Sequence, residues 1–467
     1  MNFINTSKNT IRINDLNRDI LFLEGMEEQE ISIQDAKKSL GFRRLVTSGL
    51  FEITKHGNSL FERDLIKLQK IGKKALKENN KEKENDFATP TGDIEVKIRG
   101  NFLELGGYAK VNRNLAQGLH RTGIRVNIDP ATKRNNQLTA EEMAKLMSVN
   151  QSVSKNHILI ESVIPTFGSV GGKYRILYTT IEAETIPQQF VDIANTYNEI
   201  WVTSDFCKEI LQKYSIRQPI YVVPDTVDTS LYNKGGEVHT FKPELNDFIF
   251  VGVFGWSYRK GYDVLLKSYL QEFSGDDNVS LLIISRNHLG IGSNDVIKDE
   301  IQKYINNYGG SNPPHIARCS KFIPEKIMPS VYRACDAFVL FSRGEGFGIP
   351  YCESSACGLP VIATNTSGHT MFLNKDNSYL LDVDEVRPLE PGLMPVHYWD
   401  GQEFPLLTDP NLIREAGELM RYVYDNDEEA KDKNELLRQH IADNYNIDTV
   451  SNIAATRIKE IWRKISC

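Results

Sequence analysis

The sequence predicts an α/β fold in which two parallel sheets are each flanked by helices. From about residue 91 onwards, short apolar segments of strand length alternate with longer amphipathic segments of helical periodicity. This alternation is typical of parallel sheets, because consecutive parallel strands need a crossover connection that is usually a helix. The strand candidates also form two series, which turn residues at positions 233–236 separate.

The two series of predicted strands lie in consecutive halves of this region. The first series comprises residues 157–160, 174–178, 199–202 and 220–223. The second series comprises residues 248–253, 279–284, 336–341, 361–363 and 379–381. We therefore expect two Rossmann-like domains, at residues 91–240 and 241–445, with a C-terminal amphipathic helix at 446–467 packing on the first domain.

The first 90 residues differ from the rest and predict a small α+β accessory module with a linker. Strand-like pieces occur at residues 10–13 and 20–23, and a helical pattern runs over residues 60–76. The charged stretch at residues 77–92 ends in turn formers, as expected of a frayed helix end and a linker. This module carries no recognisable chemistry.

Composition narrows the classes of function. The chain has 467 residues, 40% hydrophobic and 25% charged, which fits a globular protein of two or three domains. Its net charge of -7 argues against nucleic acid as a partner. The six cysteines form no C-x-x-C pair, which favours buried free thiols in a reducing compartment. No signal-peptide pattern and no apolar run of about 20 residues is present, so we expect a cytoplasmic protein without a transmembrane segment.

The most informative segment is Gly-Glu-Gly-Phe-Gly-Ile-Pro-Tyr-Cys-Glu at residues 344–353. It follows an apolar strand candidate, and Pro350 suits the first position of a helix. Ligands of open α/β sheets bind at such strand ends, beside the free N–H groups of a helix N-terminus. The glycines would let a sugar or nucleoside diphosphate approach the backbone while Glu345 and Glu353 hold its hydroxyls. The alternative is a structural turn in which Glu353 complements the helix dipole.

A second glycine motif, Gly106-Gly107, precedes an amphipathic helix that runs to about residue 121. Two glycines at a helix N-terminus again allow a ligand to reach backbone amides. A tight turn packed on a strand is the alternative for such a pair.

Two adjacent cations, Arg259 and Lys260, follow the first strand of the second series and precede a helix. Such cations beside a helix N-terminus would neutralise a diphosphate, each charge-assisted hydrogen bond contributing roughly 1.5 to 3 kcal/mol. Solvated surface side chains are the alternative for any Lys-Arg pair.

Together these motifs resemble the donor-binding domain of glycosyltransferase family 4, whose members are retaining enzymes of the GT-B fold. That family has a Lys-Gly segment after the first strand, here residues 260–261, and a Glu-x7-Glu motif, here Glu345 and Glu353. Four further segments also fit the family pattern: residues 199–206, 223–228, 330–337 and 356–364. The likeness covers about residues 94–467 and implies two domains facing across a cleft.

The resemblance implies a role for each matching residue. Glu345 would hold hydroxyls of the donor sugar, and Glu353 would accept hydrogen bonds from the ribose. Arg259 and Lys260 would hold the diphosphate and stabilise the leaving group. Backbone groups would also contact the donor, at Gly106, Gly107, Gly346, Phe347, Gly348 and Ile349.

The implied reaction is the transfer of a sugar, with retention, from a nucleoside diphosphate sugar to a glycan, lipid or protein. The resemblance leaves the base and the sugar of the donor open, with UDP-glucose as the first guess. In its retaining members the acceptor reacts on the face that the leaving group occupies, and the donor phosphate helps to deprotonate it. The resemblance therefore implies no protein nucleophile, no cofactor and no metal.

Two departures from the family pattern keep alternatives open. An arginine often stands five residues before the lysine, but here that position is Gly255. Many members have a histidine after a first-domain strand, where this chain has a loop with Glu182, which we expect to contact the sugar or acceptor. A solvated loop carboxylate is the alternative for Glu182. The alternatives for the whole chain are a non-catalytic sugar- or nucleotide-binding scaffold, docked through its N-terminal module, and a GT-B epimerase or phosphorylase.

Overall fold

The structure is a computed structural model that describes residues 94–131, 137–165, 171–286, 295–321, 323–389 and 400–466, with five short strands among the first 55 residues. The chain separates into two compact units. The first contains Met1–Val163, Gly171–Arg175 and Ala455–Cys467, and the second contains Ile164–Val170 and Ile176–Ala454. The predicted domain boundaries after residues 90, 240 and 445 stay predictions.

The secondary structure alternates strands and helices from residue 95 onwards. The strands are β1 Asn2–Asn5, β2 Ile11–Ile13, β3 Ile20–Phe22, β4 Glu28–Glu30, β5 Phe51–Lys55, β6 Glu95–Gly100, β7 Arg125–Pro130, β8 Ile158–Ser162, β9 Tyr174–Thr179, β10 Glu199–Val202, β11 Ile220–Val222, β12 Phe248–Gly255, β13 Val279–Arg286, β14 His315–Cys319, β15 Ala337–Leu340, β16 Val361–Thr364, β17 Tyr379–Leu381, β18 Val386–Pro388 and β19 Glu403–Pro405. The α-helices are α1 Gly107–Arg121, α2 Ala140–Val149, α3 Gln188–Ala194, α4 Asp205–Gln212, α5 Tyr262–Glu272, α6 Asp295–Tyr308, α7 Met328–Tyr332, α8 Ile349–Ala356, α9 Pro410–Asp425, α10 Asp427–Asn444 and α11 Ile447–Ser466.

The first unit begins with short antiparallel pairings. Strand β1 pairs with β4 and β5, and β2 pairs with β3. The predicted strands at residues 10–13 and 20–23 are therefore confirmed as β2 and β3. The predicted helix at residues 60–76 and the predicted linker at residues 77–92 lie outside the described residues.

The parallel part of the first unit has β6 between β7 and β8. Strands β6 and β7 were not among the predicted strands, because both alternate polar and apolar residues, whereas strands of parallel sheets are usually continuous apolar runs. The structure explains how β6 tolerates charge. Arg99 of β6 donates to Asp129 of β7 at 2.9 Å and to Glu161 of β8 at 3.1 Å. Cross-strand ion pairs therefore neutralise the charge of Arg99.

In the second unit, β10 pairs in parallel with β9 on one side and β11 on the other. All three are predicted strands, with ends shifted by at most one residue. The hydroxyl of Tyr178 in β9 donates to the Val223 carbonyl just beyond β11 at 3.0 Å. This contact ties the ends of the outer two strands together.

The second unit also contains a six-stranded parallel sheet with the order β14-β13-β12-β15-β16-β17. Counted from β12, this is the order 3-2-1-4-5-6 of a doubly wound Rossmann sheet, which changes winding direction between β12 and β15. The five predicted strands of the second series are confirmed. Edge strand β14 was missed because it is short and partly exposed, and polar His315 and Arg318 interrupt its apolar residues. The predicted α/β fold class with two Rossmann-like parallel sheets is confirmed.

The described helices and cysteines agree with an ordinary globular interior. None of the helices within the described ranges is both long and apolar enough to cross a membrane. Of the described cysteines, four are buried free thiols (Cys207, Cys335, Cys352 and Cys357) and Cys319 is partly exposed.

Candidate functional site

The two segments with the predicted site residues follow the strands on either side of the point where the second sheet changes direction. Strand β12 leads into the 3-10 turn Tyr258–Lys260 and then into α5. Strand β15 leads into the glycine-rich loop and then into α8. Crevices at such switch points are where doubly wound sheets bind ligands. Topology alone therefore brings the two segments to one place.

Gly261 allows the first segment to turn closely against the second. Its φ of 65° lies in the left-handed region, and a Cβ atom there would lie 1.8 Å from the Phe341 carbonyl oxygen. No other residue type fits this position without displacing the end of β15. The glycine therefore fixes where Lys260 meets the second loop.

The four predicted catalytic residues form one charged cluster. The ammonium nitrogen of Lys260 lies 2.6 and 2.7 Å from the two carboxylate oxygens of Glu345. Arg259 lies 2.9 Å from a carboxylate oxygen of Glu182 and 3.7 Å from one of Glu345. Their side chains are between 7% and 18% exposed. The structure thus brings together two cations and two carboxylates from three segments of the chain.

The cluster keeps Glu345 ionised. Burial alone would raise the pKa of Glu345, but the charges of Lys260 and Arg259 outweigh burial and lower the pKa to about 2. Burial and the charge of Arg259 lower the pKa of Lys260, while Glu345 and Glu182 oppose this shift. Because Glu345 faces both cations, we assign it as a carboxylate. An ionised carboxylate only accepts hydrogen bonds, so Glu345 is suited to hold hydroxyls and not to act as a general acid.

Arg343, which was not among the predicted site residues, joins the two segments. Its guanidinium makes two hydrogen bonds to Asp263, of 2.7 and 2.8 Å, and lies 3.7 Å from the ring centre of Tyr258. It also donates to the Tyr258 carbonyl at 2.7 Å, and its backbone N–H donates to the Arg259 carbonyl at 2.7 Å. The sequence signal was an arginine directly after an apolar strand, where its side chain has to be buried.

The glycines of the second loop serve contacts within the protein. A Cβ atom at Gly344 would lie 1.8 Å from the Glu182 carbonyl oxygen, and one at Gly346 would lie 1.3 Å from the Thr180 hydroxyl oxygen. The Gly346 carbonyl accepts a hydrogen bond from the Thr203 hydroxyl at 2.9 Å. These two glycines thus allow the loop that follows β9 to pack closely against the glycine-rich loop. This packing holds Glu182 against the cluster.

Backbone donors are available where α8 begins. Within the described ranges, the N–H groups of Gly346, Phe347 and Gly348 face no protein acceptor. Gly348 caps the helix with a φ of 101°, and Ile349 is its first residue. Free amides and the helix dipole at this end favour a negatively charged ligand group.

Glu353 lies in surroundings unlike those of Glu345. It is the fifth residue of α8, because the helix begins at Ile349 and not at Pro350 as predicted. Glu353 is buried. Burial raises the pKa values of its neighbours Tyr332 and Cys352, and the charge of Glu353 raises both pKa values further. Its predicted contact with a ribose stays a prediction.

The remaining predicted positions lie at element ends. Gly106 is the N-cap of α1 and Gly107 its first residue, both in the first unit. Apart from its two chain neighbours, no atom of the described residues lies within 4 Å of the place where a Cβ of Gly106 would lie, so contacts among these residues do not require glycine there. Gly255 is the last residue of β12. The part of the chain that is described holds no group of three His, Cys, Asp or Glu residues arranged for a metal ion, and the expectation of no metal or cofactor stays a prediction.

The segment that contains most of this cluster resembles a known protein family. Residues 246–390 match the family model described as glycosyl transferases group 1. The matched segment runs from just before β12 to just beyond β18 and includes Arg259, Lys260, Glu345 and Glu353. Glu182 lies outside it.

Curated relatives are similar over part of their length. The chain is 29% identical over 210 residues to a D-inositol 3-phosphate glycosyltransferase of Corynebacterium jeikeium, which is 42% of this chain and 46% of that protein. It is 24% identical over 146 residues to a mannosylfructose-phosphate synthase of Agrobacterium fabrum, 28% of this chain and 30% of that protein. The chain thus spans less than half the length of these relatives.

Solved structures share the fold. An Anabaena protein, HepE, in complex with UDP and glucose is 14% identical with a TM-score of 0.56, covering 79% of this chain and all of that one. Sucrose-phosphate synthase from Thermosynechococcus elongatus is 13% identical with a TM-score of 0.58 and the same coverage. At these identities the likeness shows the fold alone, which is GT-B.

Proposed function

We propose that the chain is a cytoplasmic glycosyltransferase of family 4 that transfers a sugar with retention from a nucleoside diphosphate sugar. The match of residues 246–390 to the model of group 1 glycosyl transferases supports this proposal. The observation that carries this proposal is the contact of Lys260 with both carboxylate oxygens of Glu345, beside Arg259, at the switch point of the second sheet. HepE, which has the same fold, was crystallised with UDP and glucose. UDP-glucose is therefore the first donor to test.

In the proposed reaction the two cations act on the leaving group. The bond between the sugar C1 and the diphosphate oxygen breaks, and a bond from C1 to the acceptor oxygen forms on the same face. The acceptor proton passes to an oxygen of the departing diphosphate. Arg259 and Lys260 stabilise the charge that develops there, without a metal.

The carboxylates orient the reactants in this proposal. Glu345, kept ionised by its neighbours, accepts hydrogen bonds from hydroxyls of the donor sugar. Glu182 pairs with Arg259 and reaches the cluster from a loop of a different sheet, which supports a role for it in contacting the sugar or acceptor. The acceptor is a glycan, a lipid or a protein.

The test is hydrolysis of a panel of nucleoside diphosphate sugars by the wild type and by Lys260→Ala. Removing one charged donor to the leaving group should lower kcat by about 100-fold or more, while the circular dichroism spectrum stays that of the folded protein. Lys375→Ala is the matched control, because Lys375 pairs with Asp382 on the surface. Its turnover should equal that of the wild type. Near-normal turnover by Lys260→Ala would show that Lys260 does not stabilise the diphosphate leaving group.

A second candidate, a non-catalytic sugar- or nucleotide-binding scaffold, is favoured by one observation. Gly255, where the family often has an arginine, ends β12 without adding a third cation. A scaffold would bind a nucleotide sugar and turn over no donor in the panel, and its N-terminal module would mediate assembly. An epimerase or phosphorylase would instead release an epimerised sugar or a sugar phosphate.

A further inference from the structure

Ser367 has a backbone conformation that serine rarely adopts. Its φ is 61° and its ψ is -162°, and among the described residues it is the one non-glycine with a positive φ. This region is essentially restricted to glycine, because an L side chain there crowds its own backbone. The residue follows β16 and is 4% exposed. Such strain persists only where surrounding contacts hold it.

Two hydrogen bonds join the turn that contains Ser367 to the backbone of Glu345. The N–H of Glu345 donates to the Ser367 hydroxyl oxygen at 3.0 Å. In return, the N–H of Gly368 donates to the Glu345 carbonyl at 2.8 Å. Both polar backbone groups of Glu345 are therefore bound by neighbouring residues of one turn.

His369 fixes the direction of the serine hydroxyl. Its Nε2 lies 2.7 Å from the Thr364 carbonyl oxygen, which only accepts, so Nε2 carries the hydrogen. Burial lowers the pKa of His369, which favours the neutral ring, and the Nδ1 of a neutral ring with a hydrogen on Nε2 accepts hydrogen bonds. Nδ1 lies 3.5 Å from the Ser367 oxygen, which leaves that oxygen's lone pairs directed at the N–H of Glu345.

Glycine at position 367 would remove the strain, and the chain uses glycine at the next position. A Cβ at Gly368 would lie 2.1 Å from the Gly346 carbonyl oxygen, so that glycine is required by packing. At position 367, by contrast, the chain has a serine although the backbone conformation favours glycine. We propose that Ser367 is a positioning residue, whose hydroxyl holds the Glu345 backbone so that the carboxylate meets Lys260, at a cost in stability. This inference rests on the proposed function through Glu345.

The test compares Ser367→Gly and Ser367→Ala. Ser367→Gly relieves the strain and loses the hydroxyl, so its Tm should rise while kcat for donor turnover falls by about tenfold or more. Ser367→Ala loses the hydroxyl and keeps the strain, so kcat should fall without a rise in Tm. A residue with a merely structural role would move Tm and kcat in the same direction.

Ser268→Ala is the matched control. Ser268 is a buried residue, as Ser367 is, but its hydroxyl donates to the Leu265 carbonyl within α5. Its kcat should equal that of the wild type. A wild-type kcat in Ser367→Gly would overturn the positioning role of the hydroxyl. A lower Tm in that variant would overturn the claim that the Ser367 backbone is strained.

The stability measurements separate this inference from the proposed function. If the wild type turns over no donor, the proposed function fails. The Tm of Ser367→Gly and a double-mutant cycle of Ser367→Ala with Glu345→Gln then still test the inference. Additive changes in unfolding free energy would overturn it, and coupling between the two residues would support it.

Discussion

At the scale of single residues, two buried carboxyl groups of the second unit differ in charge state because of their neighbours. Glu345 faces Lys260 and Arg259, and its pKa is lowered to about 2. Burial raises the pKa of Asp225 to about 7. A hydrogen bond from the Tyr178 hydroxyl, 3.3 Å away, lowers the pKa and so opposes part of this rise. Among the described residues, this hydrogen bond is the one influence that opposes the effect of burial on Asp225. Burial thus keeps a proton on one carboxyl group, and paired cations remove it from the other.

Asp225→Asn should make stability less dependent on pH. The ordinary pKa of this group is 3.8, so between about pH 4 and 7 the folded protein holds a proton that the unfolded chain has released. The unfolding free energy of the wild type therefore falls as pH rises through this window, by about 1.4 kcal/mol for each unit of difference in pKa. Asparagine has no such proton. Above pH 7 the variant should be more stable than the wild type, as measured by urea denaturation from pH 4 to 8.

Tyr178→Phe is the complementary variant. It removes a hydrogen bond that favours the ionised form of Asp225, so the loss of stability with rising pH should become steeper. Equal slopes for the wild type and Asp225→Asn would show that Asp225 is ionised in the folded protein throughout this range.

At the scale of elements, the contact between the two loops of the site depends on the Arg343–Asp263 pair. Arg343→Lys keeps the charge but loses the two-pronged hydrogen bond and the stacking on Tyr258. We expect a lower Tm and a fall in donor turnover of about tenfold, because the turn that carries Arg259 and Lys260 loses its support. Steady-state kinetics and thermal denaturation measure the two effects.

Arg421→Lys is the matched control for this substitution. Arg421 bonds Glu272 at 3.0 Å and Asp277 at 2.8 Å, and its guanidinium lies 4.1 Å from the Phe273 ring centre. It therefore makes the same kinds of contact at the opposite end of α5. Its Tm should fall while turnover is unchanged. Turnover that falls equally in both variants would mean that Arg343 acts through general stability.

The sequence predicted those elements whose local pattern agrees with their final surroundings. Strands β12, β13 and β15 are apolar on both faces, so their patterns identify them without tertiary information. Strand β6 was missed because its Arg99 is compensated by carboxylates 30 and 62 residues away. A local window contains no signal for such partners.

At the scale of the whole molecule, the site was predictable as a set of residues and less so as a set of contacts. Arg259, Lys260 and Glu345 follow two strands that adjoin in any doubly wound sheet, so topology implies their proximity. The pairing of Glu182 with Arg259 depends on a loop that follows a strand of another sheet. Chain spacing says nothing about that approach. The bond from Ser367 to Glu345 likewise depends on a backbone conformation that serine does not indicate.

The last prediction concerns the first 90 residues. The charged cluster, the glycine-rich loop and Ser367 all lie within Ile176–Ala454 of the second unit, and β6 begins only at Glu95. A chain that starts at Thr91 should therefore hydrolyse the donor at a rate close to that of the full chain, with gel filtration reporting any change in assembly. Lys260→Ala in the shortened chain is the control and should lower this hydrolysis by about 100-fold or more, as in the full chain. A shortened chain that folds, as judged by its thermal transition, but no longer hydrolyses the donor would place the N-terminal module within the catalytic unit.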